Sequence, residues 1–68
     1  MNINVNVNLI KRFMELKNLS KLEFATGCGF SLSTLYNILK NKHNFRISNI
    51  ASMAKFMNVD VNALILIK

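Results

Sequence analysis

The spacing of hydrophobic and polar positions changes near the start of the chain. The first eight residues, MNINVNVN, alternate asparagine with Ile3, Val5 and Val7. Alternation with a period of two and β-branched residues predicts a half-buried strand. A single strand cannot satisfy its own backbone, so this segment must pair with another or remain disordered. The apolar residues 64–67 are the second candidate strand. We therefore divide the chain into an N-terminal arm or strand, residues 1–8, and a helical domain, residues 9–68.

From residue 9 onward, apolar residues recur at helical spacing and predict five short helices. The first covers residues 9–18, and either Asn6 or Asn8 can cap its N-terminus. The fourth begins near Ile47 and closes near Asn58. Asp60 then caps a fifth helix. Short helices joined by connections of a few residues predict a compact all-α domain.

The second and third helices have the clearest start signals. Ser20 and Glu23 have the S-x-x-E spacing of a capping box, and Ser31 has the position of an N-cap for the third helix. We expect Gly27 and Gly29 to end the second helix, because glycine tolerates the left-handed backbone found at helix C-termini. The segment is therefore a helix, a tight turn and a second helix.

The third helix has one apolar face and one polar face. Its apolar face consists of Leu35, Ile38 and Leu39. The other face carries hydrogen-bonding side chains at positions i, i+3, i+4 and i+7: Ser33, Tyr36, Asn37 and Lys40. A basic segment that contains Lys42, His43 and Arg46 follows directly. The apolar face predicts an anchored helix, and the polar face is available for recognition.

The charge of the chain points to a phosphate-rich partner. Nine Lys and Arg against three Asp and Glu give a formal net charge of +6 in 68 residues. A positive field of this size in one small domain is typical of nucleic-acid binding, although surface charge that only keeps the protein soluble is the alternative. The chain is also 51% hydrophobic. Such a content in a domain this small suggests that a partner chain covers some apolar surface.

Several classes of protein do not fit the sequence. With one cysteine, Cys28, no disulfide framework can form, and we expect this residue to be a small buried hydrophobe in a reducing cytoplasm. No apolar run approaches the ~18 residues of a membrane span. The single histidine, His43, has no partner for a metal site, and no cofactor is expected. Since Glu23 and Asp60 serve as helix caps, no catalytic set can be assembled, and an enzyme is not expected.

Residues 9–65 resemble the lambda-repressor-like helix-turn-helix family, which includes many Cro-type repressors. The stretch LSKLEFATGCGFSLSTLYNI has the family's spacing, and ASMAKFMNVDVNALI is similar to its two closing helices. Ala25 matches the small residue where the two helices touch, Gly29 matches the turn, and Leu35 and Ile38 match buried positions. The resemblance implies a five-helix fold that binds double-stranded DNA through the third helix.

The resemblance also implies roles for individual residues. The third helix would lie in the major groove, with its N-terminal residues at the base edges. The expected base contacts are Leu32, Ser33, Tyr36 and Asn37. Tyr36 could bond a phosphate instead of a base, and the alternative for Leu32 is an exposed leucine without a DNA contact. The expected contacts to the DNA backbone are Lys21, Ser31, Thr34, Lys40, Lys42, His43, Asn44 and Arg46.

The chain departs from the family at positions where relatives often carry an ion pair. Many relatives have a basic residue where this chain has Met14 and a glutamate where it has Leu39. Because an ion pair can be exchanged for an apolar contact at little cost, we predict that these two side chains touch. At Lys21 the family commonly has glutamine, so this chain keeps a donor and adds a charge.

One helix-turn-helix unit contacts only a few base pairs, and members of the family usually gain selectivity by dimerising. The expected dimer interface is the apolar C-terminus together with the arm: Ile3, Val5, Val7, Val61, Leu64, Ile65, Leu66 and Ile67. The alternative is that the tail only completes the core of the monomer.

The function expected from these features is sequence-specific regulation of transcription by a phage or prophage Cro-type repressor. It would act as a homodimer that occupies an operator in the cytoplasm. The alternative is a helix-turn-helix module that binds a protein or RNA, as an antitoxin or inhibitor subunit does. A third helix with serine, tyrosine, asparagine and lysine on its outer face favours DNA.

Overall fold

The computed structural model of the chain describes residues 3–40 and 46–67, and two strands and five helices occur in these ranges. Their order along the chain is β1 (Ile3–Val5), α1 (Val7–Lys17), α2 (Lys21–Cys28), α3 (Leu32–Leu39), α4 (Ile47–Met57), α5 (Val61–Leu64) and β2 (Ile65–Ile67). The expectation of a five-helix, all-α domain with a short N-terminal strand is confirmed.

The two strands pair with each other and bring the two ends of the described chain together. β1 and β2 are antiparallel, with Asn4 opposite Leu66 and Val5 opposite Ile65. The backbone N–H of Asn6 donates to the carbonyl of Leu64 at 2.8 Å, which extends the pairing to the start of α1. β1 thus finds its pairing partner within the same chain.

Helix α1 begins at Val7, two residues earlier than expected. Of the two asparagines proposed as its cap, Asn6 is the one used: its side-chain oxygen accepts from the backbone N–H of Leu9 at 3.3 Å. The Asn6 side-chain nitrogen also donates to the carbonyl of Ala63 at 3.2 Å. Residues 3–8 therefore join directly to the helical domain in the structure.

Three joints between helices use the same three-residue arrangement, consisting of a left-handed residue, an apolar residue and an N-cap. The left-handed residues are Asn18, Gly29 and Asn58, with φ of 55°, 87° and 58°. The apolar residue that follows each one donates its backbone N–H to a carbonyl five residues earlier, at 2.9 Å for Leu19, 3.1 Å for Phe30 and 3.0 Å for Val59. These are Schellman-type ends, which satisfy carbonyls that the helix leaves free. The next residue is the N-cap of the following helix, so each connection between the two helices is only three residues long. The joints cover residues 18–20, 29–31 and 58–60.

All five helices and β1 contribute side chains to one core. The largest fully buried side chains are Phe24, Ile10, Leu35, Ile38, Ile50, Met53, Leu64 and Val5. The ring of Phe24 in this core forms a triangle of edge-to-face contacts with the rings of Phe13 and Phe56, with centroids 5.6 to 6.0 Å apart. The triangle ties α1, α2 and α4 together.

Gly27 does not end α2, contrary to the expectation from sequence. The helix continues through it to Cys28, and Gly29 supplies the left-handed residue that ends it. A Cβ on Gly27 would lie 2.5 Å from the Cε1 and Cζ atoms of Phe56, well inside normal contact. The glycine is therefore needed for space, because the ring from α4 lies directly against the backbone of α2.

Candidate nucleic-acid interface

Helix α3 is held firmly by its apolar face and its N-terminus. Leu35 and Ile38 are 0% and 1% exposed. At the N-terminus, the hydroxyl of Ser31 accepts from the backbone N–H of Thr34 at 3.2 Å. The turn from α2 is fixed by the left-handed Gly29, whose backbone N–H donates to the carbonyl of Ala25 at 3.0 Å. The direction of α3 is thus set by local bonds as well as by burial.

The opposite face of α3 is exposed, as the spacing predicted. Its exposed side chains are a hydroxyl, a phenol, an amide and an ammonium group, contributed by Ser33, Tyr36, Asn37 and Lys40. All four groups donate hydrogen bonds and three also accept, which is the chemistry needed at the edges of bases. Residues 31–46 contain no acidic residue. The face therefore combines hydrogen-bonding capacity with positive charge.

Lys21 lies beside this face and contacts it. Its Nζ atom is 5.6 Å from the centroid of the Tyr36 ring, within the range of a cation–π interaction. Lys21 is the first residue of α2. A cation in this position is unfavourable by roughly 0.3–1 kcal/mol because the helix dipole is positive there. Sequence reasoning missed the contact, because the two residues belong to different helices and no local pattern links them.

The N-terminus of α2 has the capping box that its sequence predicts. The backbone N–H of Ser20 donates to the Glu23 carboxylate at 2.9 Å, and the backbone N–H of Glu23 donates to the Ser20 hydroxyl at 3.1 Å. The bonds from the Ser20 backbone and side chain lower the pKa of Glu23 from its ordinary value of 4.5. The carboxylate is therefore ionised at neutral pH and is committed to the cap.

Apart from Lys21, the expected contacts to the DNA backbone fall into three groups. Ser31 and Thr34 bond to each other through their hydroxyls at 3.0 Å, so both act first in the cap of α3. Lys40 and Arg46 are exposed at the end of α3 and the start of α4. The expected contacts Lys42, His43 and Asn44 lie outside the described residues.

Leu32 is less available than its expected role requires. It is half-buried and packs against the core, so only part of its side chain can reach a thymine methyl group.

Met14 is buried and Leu39 is half-buried against the same core. Their mutual contact stays a prediction.

Two residues expected in a dimer interface lie inside this chain instead. Val5 and Leu64 are 1% and 0% exposed. Since β1 and α5 bury them in the chain's own core, a second chain cannot contact them while this fold is intact. Of the other interface candidates with described side chains, Val7, Val61 and Ile65 are half-buried, and Leu66 is 42% exposed. For Ile3 and Ile67 the structure describes the backbone alone.

Cys28 is buried, as expected for a small apolar residue. Burial raises the pKa of its thiol from 9.0 to about 11, so the thiol is protonated at neutral pH. Across residues 3–40 and 46–67, no group of three or more His, Cys, Asp and Glu side chains could hold a metal ion. None of the helices in this part of the chain has the length and apolar character needed to cross a membrane.

Comparison with known proteins agrees with this geometry. A family model described as helix-turn-helix matches residues 10–64, which is most of the chain and includes α2, the Gly29 turn and α3. A search of curated proteins gives no match. Because the family match covers well over half of the chain, the protein belongs to the lambda-repressor-like, Cro/CI-type helix-turn-helix family of DNA-binding regulators.

Proposed function

We propose that the protein is a sequence-specific transcriptional repressor of the phage or prophage Cro type, which acts as a homodimer by occupying an operator and blocking polymerase. The observation that carries this proposal is the division of α3 into two faces. Leu35 and Ile38 are almost fully buried, and the polar side chains opposite them are exposed. A helix held in this way can enter the major groove without leaving the core.

The exposed side chains of α3 suit direct contacts to bases. The amide of Asn37 can make two hydrogen bonds to an adenine, while the hydroxyl of Ser33 can bond several bases. Tyr36 offers a phenol group and an aromatic ring, and Leu32 offers the unburied part of its side chain to a thymine methyl. Asn37 is the strongest candidate for specificity because its bidentate geometry selects one base.

The positions of the basic residues around α3 support the proposed phosphate contacts. Lys21 and Arg46 occur at the N-termini of α2 and α4, where their charge opposes the helix dipole. A phosphate at such a terminus would be attracted by both the cation and the dipole. Lys40 adds a charge at the end of α3. The proposed backbone contacts further include Ser31, Thr34, Lys42, His43 and Asn44.

Selectivity requires two copies of the protein. Helix α3 has 8 residues and is about 12 Å long, so it spans only about three to four base pairs. Two recognition helices in successive major grooves are about 34 Å apart. The longest dimension of the protein is 33 Å. Two copies in contact therefore have a suitable size for adjacent grooves, and the half-buried Val61 and Ile65 with the exposed Leu66 are the proposed contact surface.

DNA selectivity is tested by selecting bound sequences from random duplexes and measuring their affinities at several salt concentrations. Asn37→Ala should cost ~1–3 kcal/mol at the selected sequence and flatten the preference at one base pair. Arg46→Ala should weaken all duplexes by a similar factor and make the salt dependence shallower. Asn8→Ala, at an exposed asparagine of α1, is the matched control and should change neither. Binding that is weak on every duplex, or insensitive to salt, would contradict the DNA proposal in favour of a protein or RNA partner.

Dimerisation is tested by sedimentation at micromolar concentration. Leu66→Lys places a charge on the proposed contact surface and should convert dimers to monomers. Leu16→Lys, at a leucine of α1 that is 78% exposed, should leave the dimer intact. A wild-type protein that sediments as a monomer both alone and on its selected DNA would contradict the homodimer.

A further inference from the structure

We infer that Lys21 is a specificity-determining residue that acts through Tyr36: its ammonium group positions the Tyr36 ring for one base pair of the target. This inference rests on the proposed function, since it concerns how the same face of α3 selects DNA. It goes further by assigning Lys21 a role in sequence preference, where a lysine at a helix N-terminus would otherwise only hold a phosphate.

The position of Lys21 is fixed before any DNA is present. It directly follows Ser20, whose hydroxyl and backbone N–H are both engaged by Glu23 in the capping box. The start of α2 is therefore well ordered, and the lysine side chain extends from a defined point. From there the ammonium group lies over the Tyr36 ring, at 5.6 Å from its centroid.

Tyr36 is an exposed residue of α3, and its orientation needs such support. Its side chain is 43% exposed, so burial alone does not hold the ring in one rotamer. An ammonium group attracted to one ring face favours the rotamer that keeps the two in contact. The remaining surface of the ring and the phenol hydroxyl are then presented in one arrangement. A base contact made by a side chain that is already ordered loses less entropy on binding.

The two possible roles of Lys21 predict different results. A lysine that only binds phosphate contributes equally to every DNA sequence. A lysine that positions Tyr36 also contributes to the preference at the base pair that Tyr36 contacts. Its effect on that preference must disappear when the ring is removed.

The experiment compares Lys21→Met, Lys21→Arg, Tyr36→Leu and the double variant Lys21→Met/Tyr36→Leu. Each is used as the full chain and profiled on random duplexes at one salt concentration. We expect Lys21→Met to reduce the preference at the base pair that Tyr36→Leu also affects, by about two- to fivefold. Lys21→Arg should restore that preference, because arginine keeps the cation over the ring. In the Tyr36→Leu background, Lys21→Met should lower affinity for all sequences by one common factor.

Lys40→Met is the matched control, because Lys40 is an exposed lysine at the opposite end of α3. Lys40→Met should lower the affinity for all DNA sequences by one common factor, whether or not Tyr36 is present. If Lys21→Met behaves in the same uniform way in both backgrounds, the positioning role is refuted while DNA binding by the protein stands. If the wild-type protein selects no sequence at all, the proposed function itself fails.

A measurement without DNA tests the contact directly. In the free protein, the ring current of Tyr36 should move the Lys21 Hε resonances upfield relative to those of Lys40. The shift should be absent in Tyr36→Leu, with the helical circular dichroism signal unchanged. Lys21 Hε resonances that match those of Lys40 in the wild type would also refute the positioning role.

Discussion

The contact between Gly27 and Phe56 gives the sharpest test of how the fold is packed. Replacing Gly27 by alanine has two opposing effects. Alanine is favoured over glycine in a helix interior by roughly 0.8–1 kcal/mol. The new Cβ, however, would lie 2.5 Å from two ring atoms of Phe56, so the ring has to move.

The ring of Phe56 cannot move freely. It makes edge-to-face contacts with Phe13 and Phe24 at centroid distances of 5.9 and 5.6 Å, and a shift of the ring would disturb both contacts. Overpacking of this kind costs typically ~1–3 kcal/mol. The overpacking term therefore exceeds the gain in helix propensity, and Gly27→Ala should lower the free energy of unfolding by about 1 kcal/mol, within a range of about 0–2 kcal/mol.

Removing the ring with Phe56→Ala should reverse the sign of the effect of Gly27→Ala on the free energy of unfolding. In a Phe56→Ala background the added Cβ no longer meets the ring atoms of Phe56. Gly27→Ala should then raise the free energy of unfolding by roughly 0.8–1 kcal/mol in Phe56→Ala. In the milder Phe56→Leu background, used if the first does not fold, the Cε1 and Cζ contacts are removed but a methyl group remains near the former Cδ1 position, so the destabilisation by Gly27→Ala should shrink without changing sign. Urea unfolding followed by far-ultraviolet circular dichroism measures each value, and the urea dependence should be similar among variants.

Gly29→Ala is the matched control for this cycle. Its φ of 87° is left-handed, and no atom lies within 4 Å of an added Cβ. It should cost about 1–2 kcal/mol whatever residue occupies position 56, because the strain is in the backbone. The packing argument is refuted if Gly27→Ala stabilises the protein with Phe56 present, or destabilises it equally in both backgrounds.

Three further predictions concern single groups. In the folded protein the pKa of the Cys28 thiol is raised from 9.0 to about 11. As pH rises, the unfolded chain therefore loses this proton first, and the contribution of the thiol to the free energy of unfolding should decline between these two pH values. Stability curves of wild type and Cys28→Ala should diverge over that range, and parallel curves would contradict the prediction. For Glu23, whose pKa is lowered from 4.5, its contribution is complete above that value and should be lost as pH falls below it. Glu23→Gln, which keeps the acceptor for Ser20, should show a smaller loss of stability in acid than the wild type. Finally, Met14→Ala and Leu39→Ala should couple by at least ~0.5 kcal/mol in a double-mutant cycle, whereas additive effects would show that the side chains do not touch.

Local signals in the sequence predicted most of the helix boundaries correctly. The capping box of Ser20 and Glu23, the cap at Ser31 and the cap at Asp60 all occur in the structure, since each depends on residues within one turn of helix. The outward direction of Ser33 and Asn37 followed from helical spacing alone. These features needed no knowledge of distant contacts.

The features that sequence reasoning missed depend on residues far apart in the chain. Gly27 looked like a helix terminator because nothing near it indicates that Phe56, from α4, lies against its backbone. Val5 was assigned to a dimer interface although residues 64–67 were already the candidate partner strand, because alternation does not show whether a strand packs on its own chain or on a second one. The contact of Lys21 with Tyr36 was missed for the same reason. Periodicity identifies which side of an element is apolar, and it does not identify what will cover that side.

The two faces of α3 have a consequence for how such a protein can diversify. Because the side chains that anchor the helix and those that project from it occupy separate positions, a substitution at Ser33 or Asn37 leaves the packing of Leu35 and Ile38 untouched. Under the proposed function, single mutations at these positions would change the DNA preference of the protein without unfolding it. The exposed residues of α3 can therefore be substituted over evolution while the buried residues that anchor the helix stay the same.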